Sequence, residues 1–149
     1  MKTTGHSSVA LIATATGAAT IALSATAHAS PDGSFQSPSG NFVCIMMVKA
    51  STGSSAAACQ AQHHTYAPPP PGQCHLGGWG SQFNLDEGNS PHFECVGGVL
   101  AVPPMPTLDY GQTRSVGTIT CESQQSGVRC TDSSSGHFFR LSSDTYELG

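Results

Sequence analysis

The sequence predicts a small all-β domain, a sandwich or barrel of about eight short strands that is held together by disulfide bonds. Short apolar or alternating segments recur between turns at intervals of roughly 8–15 residues, as in many all-β proteins. Six cysteines occur in the chain. No long window shows the periodicity of an amphipathic helix, and charged residues make up only 9% of the chain, beside 17 glycines and 10 prolines.

Two segments give the clearest strand signals. The run from Asn41 to Val48 is apolar on both faces, which predicts a central, buried strand. From Trp79 to Leu85, large apolar residues alternate with small or polar ones, which predicts a half-buried strand. The other predicted strands cover residues 56–61, 93–96, 98–102, 118–121, 128–131, 137–141 and, at a sheet edge, 146–148.

The two halves of this pattern share a weak similarity. A glycine lies four residues before Cys44 and another lies four residues before Cys121, and a second cysteine-bearing strand follows in each half. The loops differ too much in length for the sequence alone to establish a duplication. The proline-rich segments 67–72 and 103–106 interrupt the strands, and we expect both to be rigid polyproline spacers.

The first 29 residues have the features of a signal peptide, so we expect residues 30–149 to form a single mature domain. Lys2 precedes a mild apolar stretch, and the sequence Ala27-His28-Ala29 has small residues where signal peptidase requires them, which predicts cleavage between Ala29 and Ser30. The stretch is short for a spanning helix and is rich in threonine. We therefore expect contact with the Sec export machinery and signal peptidase, and a secreted or cell-envelope-associated product with no stable membrane insertion.

The charge of the chain disfavours two classes of partner. Removal of the leader leaves four basic residues against nine acidic ones, a net charge of −5. The basic residues are scattered along the sequence, whereas nucleic-acid and anionic-membrane surfaces are bound by clustered lysine and arginine. We therefore expect no nucleic-acid partner. The four are Lys49, Arg114, Arg129 and Arg140.

All six cysteines follow the leader, and an even number in an exported chain predicts disulfides. The closely spaced cysteine pairs of structural zinc sites do not occur, and neither does a C-x-x-C redox motif. In segments 118–121 and 128–131 the cysteine shares a face with an apolar residue, and the turn-forming residues 123–127 between them predict a hairpin that brings the two cysteines together. The same reasoning pairs Cys44 with Cys59. Cys74 and Cys95 are then left, so the predicted bridges are Cys44–Cys59, Cys74–Cys95 and Cys121–Cys130.

Several short motifs occur together in one order. They are FQSPSGN (35–41) before Cys44, Tyr66 before the proline run, LDYGQ (108–112), and GHFFRLS (136–142) before Tyr146. This combination resembles an uncharacterised family of small secreted proteins with six cysteines from mycobacteria and related actinobacteria, a domain of unknown function. Members typically have tryptophan at the position of Tyr66 and a second glycine at that of Phe138. The resemblance implies export and disulfide bonds but no activity.

No residue carries a recognisable catalytic motif, and we expect no cofactor. The chain has no G-x-S-x-G nucleophile motif. Asp86 and Glu87 are adjacent, so they point in opposite directions on a strand or lie in a solvated turn before Gly88. His75 and His92, next to the predicted Cys74–Cys95 bridge, are the weak candidates for a surface zinc or copper site.

We therefore expect an exported, non-catalytic domain that binds a ligand at the cell envelope or outside the cell. One alternative is a small secreted hydrolase whose site forms only in three dimensions, and another is an extracellular metal-binding protein. A concave pocket with a polar constellation favours the enzyme, and a flat aromatic patch favours the binding domain. The aromatic residues considered for such a patch are Tyr66, Trp79, Phe138 and Phe139.

Overall fold

The computed structural model describes residues 33–67, 80–100 and 105–149, and within them it shows ten β-strands and no helix. The strands form two antiparallel five-stranded sheets, in which each strand pairs with its neighbours in sequence. The prediction of an all-β fold is confirmed. The first sheet contains β1 (Phe35–Gln36), β2 (Phe42–Val48), β3 (Ser55–Ala61), β4 (Gly80–Asp86) and β5 (His92–Val96), and the second contains β6 (Thr113–Val116), β7 (Ile119–Gln124), β8 (Gly127–Asp132), β9 (Phe138–Ser142) and β10 (Tyr146–Leu148).

The strand predictions differ from the structure in three places. The two-residue strand β1 and the edge strand β6, in which only Val116 is buried, were missed because neither has a repeating apolar pattern. Conversely, Gly98 to Leu100, the described part of a predicted strand, is not a strand. It is held instead by the Gln60 side chain, which donates to Gly98 O at 3.3 Å and accepts from Leu100 N at 2.6 Å.

The core lies between the two sheets, because alternate residues of each strand point inward. Phe35 and Phe83 of the first sheet are fully buried, as are Phe139 and Leu141 of the second. Phe83 contacts Phe139 at 6.3 Å between ring centroids, so the aromatic rings of both sheets meet. Burying each of these side chains stabilises the fold by roughly 1.5–3 kcal/mol.

Two disulfides also meet in this core. Cys44–Cys59 joins directly opposed residues of β2 and β3, and Cys121–Cys130 does the same in β7 and β8. The Sγ atoms of Cys59 and Cys130 are 3.8 Å apart, and all four cysteines are fully buried. Both bridges were predicted. Cys95 is also disulfide-bonded, but Cys74 lies outside the described residues, so the bridge between them stays a prediction.

The hairpin between β7 and β8 is tighter than the sequence suggested. The predicted turn spans residues 123–127, yet Gln124 pairs with Gly127 and only residues 125 and 126 form the loop. Gly127 has a φ of 154°, and a Cβ atom on it would lie 1.9 Å from Leu141 O. The close approach of β9 therefore requires glycine at this position.

The predicted signal peptide (1–29) and the prolines at 68–71 and 103–104 lie outside the described residues. Within the part that is described, no helix has the length and apolar character needed to cross a membrane.

Candidate functional site

The two ends of the sandwich differ, and one of them is closed by a buried carboxylate. Asp132, at the end of β8, is fully buried and accepts hydrogen bonds from Gly88 N at 2.7 Å, Ser135 Oγ at 2.7 Å and Ser134 N at 3.0 Å. Burial by itself raises the pKa of Asp132, but these hydrogen bonds, with one from Thr118, outweigh it and hold the pKa well below its usual value of 3.8. Because Gly88 lies in the turn between β4 and β5 of the first sheet, this carboxylate fastens the two sheets together.

Asp86 and Glu87 do not form a paired-carboxylate site at this end. Asp86 makes an ion pair with Lys49 at 2.8 Å. Glu87 accepts hydrogen bonds from both N and Oγ of Ser55, each at 2.8 Å. The Ser55 hydroxyl also lies 3.2 Å from Thr118 Oγ1 in the second sheet. The expected solvated turn is therefore a second link between the sheets.

The opposite end is open and contains a polar cleft of about 550 Å³. Its centre is Asn41, whose Nδ2 donates to Ser143 Oγ at 3.0 Å and to His63 O at 3.1 Å, while its Oδ1 accepts from His63 N at 2.8 Å. Asn41 thus holds the segment after β3 against the segment after β9. The lining residues are Ser39, Gly40, Asn41, Gln62, His63, His64, Thr65 and Ser143.

Aromatic rings support the wall of this polar cleft. The ring of His64 stacks on Tyr66 with centroids 3.9 Å apart, and Tyr66 contacts Phe83 and Tyr146 edge to face. Burial raises the pKa of Tyr66 to about 12, with Ser81 opposing and Tyr146 adding to the shift. The aromatic side chains are therefore a rigid backing for the cleft rather than its surface.

Two buried polar atoms beside the polar cleft have no hydrogen-bond partner among the described residues. They are Gln62 Nε2 and His64 Nδ1. A buried polar atom without a partner costs roughly 1–3 kcal/mol, so both side chains would gain by turning toward a hydrogen-bonding ligand. Such groups are rare in native proteins and occur at functional sites.

Among the described residues, the aromatic side chains expected to supply a contact patch do not share an exposed surface. Tyr66 and Phe139 belong to the core, and Phe138 is half-buried beneath the Arg129 guanidinium. Trp79 lies outside the described residues. The polar cleft, in contrast, was missed, although its sequence signal was present in the SPSGN part of the FQSPSGN motif.

A serine and a histidine approach each other at the closed end. Ser90 Oγ lies 3.5 Å from His137 Nε2, and His137 Nδ1 lies 3.3 Å from Gly149 O. A proton on Nδ1 that is donated to Gly149 O would leave the Nε2 lone pair directed at Ser90. The spacing is at the outer limit of a hydrogen bond, and Ser90 is exposed.

The metal site at His75 and His92 stays a prediction, because only His92 lies among the described residues. His92 and Glu94 share the outer face of β5, where both line a shallow groove, and His75 lies outside the described residues. Within the described ranges, the group of three ligand atoms that lie close enough for one ion is Cys44, Cys59 and Cys130. Those sulfurs are already bonded in disulfides.

One known family matches most of this chain. The model of a family of unknown function, DUF6636, matches residues 15–148. The match covers all ten strands and both ends of the sandwich. No curated protein and no solved structure matches the chain.

Proposed function

Since the chain belongs to this family of unknown function, DUF6636, we propose that it is an exported, non-catalytic binding protein whose ligand occupies the polar cleft. The observation that carries the proposal is the cleft itself. Its volume of about 550 Å³ lies within the roughly 300–1,000 Å³ of small-molecule sites. The segments after β3 and after β9 form the cleft, and Asn41 joins them by hydrogen bonds without any ligand.

The lining of the polar cleft favours an uncharged ligand rich in hydroxyl groups, such as a neutral saccharide. None of the described residues that line the cleft is Asp, Glu, Lys or Arg, so a charged ligand would lose water without gaining an ionic partner from them. Serine, threonine, asparagine, glutamine and histidine side chains supply both donors and acceptors there. The unpartnered atoms of Gln62 and His64 add two hydrogen-bonding groups that the protein itself leaves unused.

Export is supported by two observations of different kinds. The buried disulfides are typical of oxidising compartments outside the cytoplasm. The first 29 residues carry the predicted signal peptide. Intact-mass measurement on the material released by the cell should give a chain that begins at Ser30 and has no free thiol. A chain that retains residues 1–29, or free thiols, would contradict export.

Ligand binding is tested by titrating the protein with neutral malto-, cello- and chito-oligosaccharides and following the ring protons of His63 and His64 by NMR. We expect saturable shifts with at least one series. Thr65 is exposed at the mouth of the cleft, so Thr65→Trp should fill the cleft and abolish the shifts. Thr52→Trp, an equally exposed change at the far end of β2, should preserve them. Failure of every series, or equal loss in both variants, would refute a saccharide in this cleft.

A secreted hydrolase is the second candidate, and the Ser90–His137 approach is the observation that favours it. A fluorophosphonate probe reacts covalently with activated serines. Labelling at Ser90 that disappears in His137→Asn would establish the hydrolase and displace the binding proposal. We expect no labelling, because both side chains are accessible to water and the spacing is long.

A further inference from the structure

The outer face of the second sheet places two arginines directly opposite each other. Arg129 on β8 pairs with Arg140 on β9. Asp132 N donates to His137 O at 2.8 Å, so that pair is hydrogen-bonded, and alternation along the ladder makes Arg129 and Arg140 a non-hydrogen-bonded pair. Side chains are closest in such pairs, and like charges in them destabilise a sheet.

Two glutamates continue the row, but within the described residues neither forms an ion pair with an arginine. Glu122 lies opposite Arg129, and Glu147 lies opposite Arg140. The Glu122 carboxylate accepts a hydrogen bond from Gln124 Nε2 at 3.1 Å instead. Within the described residues, neither guanidinium has a carboxylate oxygen within 4.0 Å. Both arginines are exposed, so their charges are available to a ligand.

One of the two guanidinium groups is held in position. The Arg129 guanidinium carbon lies 4.5 Å from the centre of the Phe138 ring, a cation–π contact that orients it on the sheet surface. The sequence showed four scattered basic residues outside the leader. The fold instead brings two of them together, in an otherwise acidic protein.

We propose that Arg129 and Arg140 bind a single phosphate group on this face. Each guanidinium presents a planar fork of donors, and a tetrahedral phosphate offers oxygens to two forks at once, whereas one planar carboxylate fills one fork. Glu122 and Glu147 flank the pair on both sides and repel any further negative charge. The site therefore fits one isolated phosphate, either free or as the headgroup of a lipid.

The test is a titration of the oxidised protein with sodium phosphate at constant ionic strength, followed through the arginine Nε–H signals by NMR. We expect the Arg129 and Arg140 signals to shift together along one saturable curve. Arg129→Gln and Arg140→Gln should each weaken binding at least tenfold. Phe138→Leu, which changes no charge, should weaken it a few-fold because Arg129 loses its support.

Arg114→Gln is the matched control, because it removes the same charge from strand β6 of the same sheet. It should change the affinity less than twofold. Equal weakening by all three arginine variants, or no saturable shift at all, would overturn the proposal. Thermal unfolding of each variant establishes that it is folded.

Sedimentation with vesicles distinguishes the two sources of phosphate. Binding to phosphatidylglycerol vesicles but not to phosphatidylcholine vesicles, with loss in Arg140→Gln, identifies a lipid headgroup. Saturable phosphate binding without vesicle binding identifies a soluble phosphate. Neither result depends on the polar cleft, so the saccharide titration and this one can fail independently.

Discussion

The two sheets have the same interior plan and different exteriors. Each is a five-stranded meander, and each carries a disulfide between its second and third strands. The outer face of the first sheet presents Ile45, alanines, amides, carboxylates and Lys49, whereas that of the second presents the Arg129–Arg140 pair. The equal interiors supply a common stabilising core, whereas the two exteriors differ in polarity and in the arrangement of their charges.

Their connections differ as well. In the first sheet β2 and β3 are joined by residues 49–54, whereas in the second β7 and β8 are joined by two residues. The outer edge of β1 is covered by residues 106–108, since Gln36 N donates to Pro106 O and Leu108 N donates to Gln36 O, each at 2.9 Å. Despite these different connections, both halves form a five-stranded sheet with the same strand order, so their weak sequence similarity accompanies a similar fold.

Removing both central bridges should have the largest effect. The chain-entropy estimate is about 3 kcal/mol for Cys44–Cys59, which closes 15 residues, and about 2.6 kcal/mol for Cys121–Cys130, which closes 9. Each paired Cys→Ala variant should therefore lose a similar free energy of unfolding in urea, and the fourfold variant should unfold below 37 °C. If only one of the two paired variants lost free energy of unfolding, the two interiors would not be equivalent.

Asp132→Asn should have the next largest effect, about 2–4 kcal/mol, because it disturbs a fully buried carboxylate with several hydrogen bonds. The pKa of Asp132 is lower in the folded protein than its ordinary value of 3.8. Its contribution is therefore complete above about pH 5 and is lost as the pH falls below about 4 toward the folded-state pKa.

Urea unfolding of wild type and Asp132→Asn from pH 7 to 2 measures this dependence. The difference between them should shrink as the solution becomes acidic. Asp109→Asn is the control, since it removes the same charge from an exposed aspartate. A wild-type advantage over Asp132→Asn that is constant with pH would contradict the role of the carboxylate.

Gly53→Ala should give the smallest effect, and its comparison with Gly127→Ala contrasts the two connections directly. Both glycines have positive φ, which costs roughly 1–2 kcal/mol for alanine. Only Gly127 has a backbone atom where the Cβ would lie. Gly127→Ala should therefore lower the urea midpoint more than Gly53→Ala. An equal decrease in the urea midpoint of both variants would show that β9 can move away from the added Cβ atom at little cost.

Most of the fold could be predicted from the sequence because its strands carry strong local patterns. The apolar run of β2 and the cysteine-bearing strands of both hairpins are examples, and they fixed two bridges correctly. The edge strands were harder, because β1 spans two residues and β6 buries only Val116. Their pairing depends on neighbouring strands rather than on their own sequence.

The candidate sites were not predictable in the same way. Asn41 and Ser143 are 102 residues apart in sequence. They meet only because β2 begins, and β9 ends, at the same end of the sandwich. Arg129 and Arg140 become neighbours only when the register of β8 and β9 is known. In both cases the chemistry arises from strand pairing over a distance that local patterns do not encode.

The contact between Cys59 and Cys130 has a consequence for the order of events during oxidation. In the finished molecule each of these sulfurs has a wrong partner only 3.8 Å away, so proximity in the native state does not select the correct bridge. A wrong bridge between Cys59 and Cys130 would close a loop of 71 residues, whereas the native bridges close loops of 15 and 9 residues. Closing the longer loop costs the unfolded chain about 1.4–1.8 kcal/mol more. Correct pairing is therefore favoured while the hairpins are still separate, before the sheets come together.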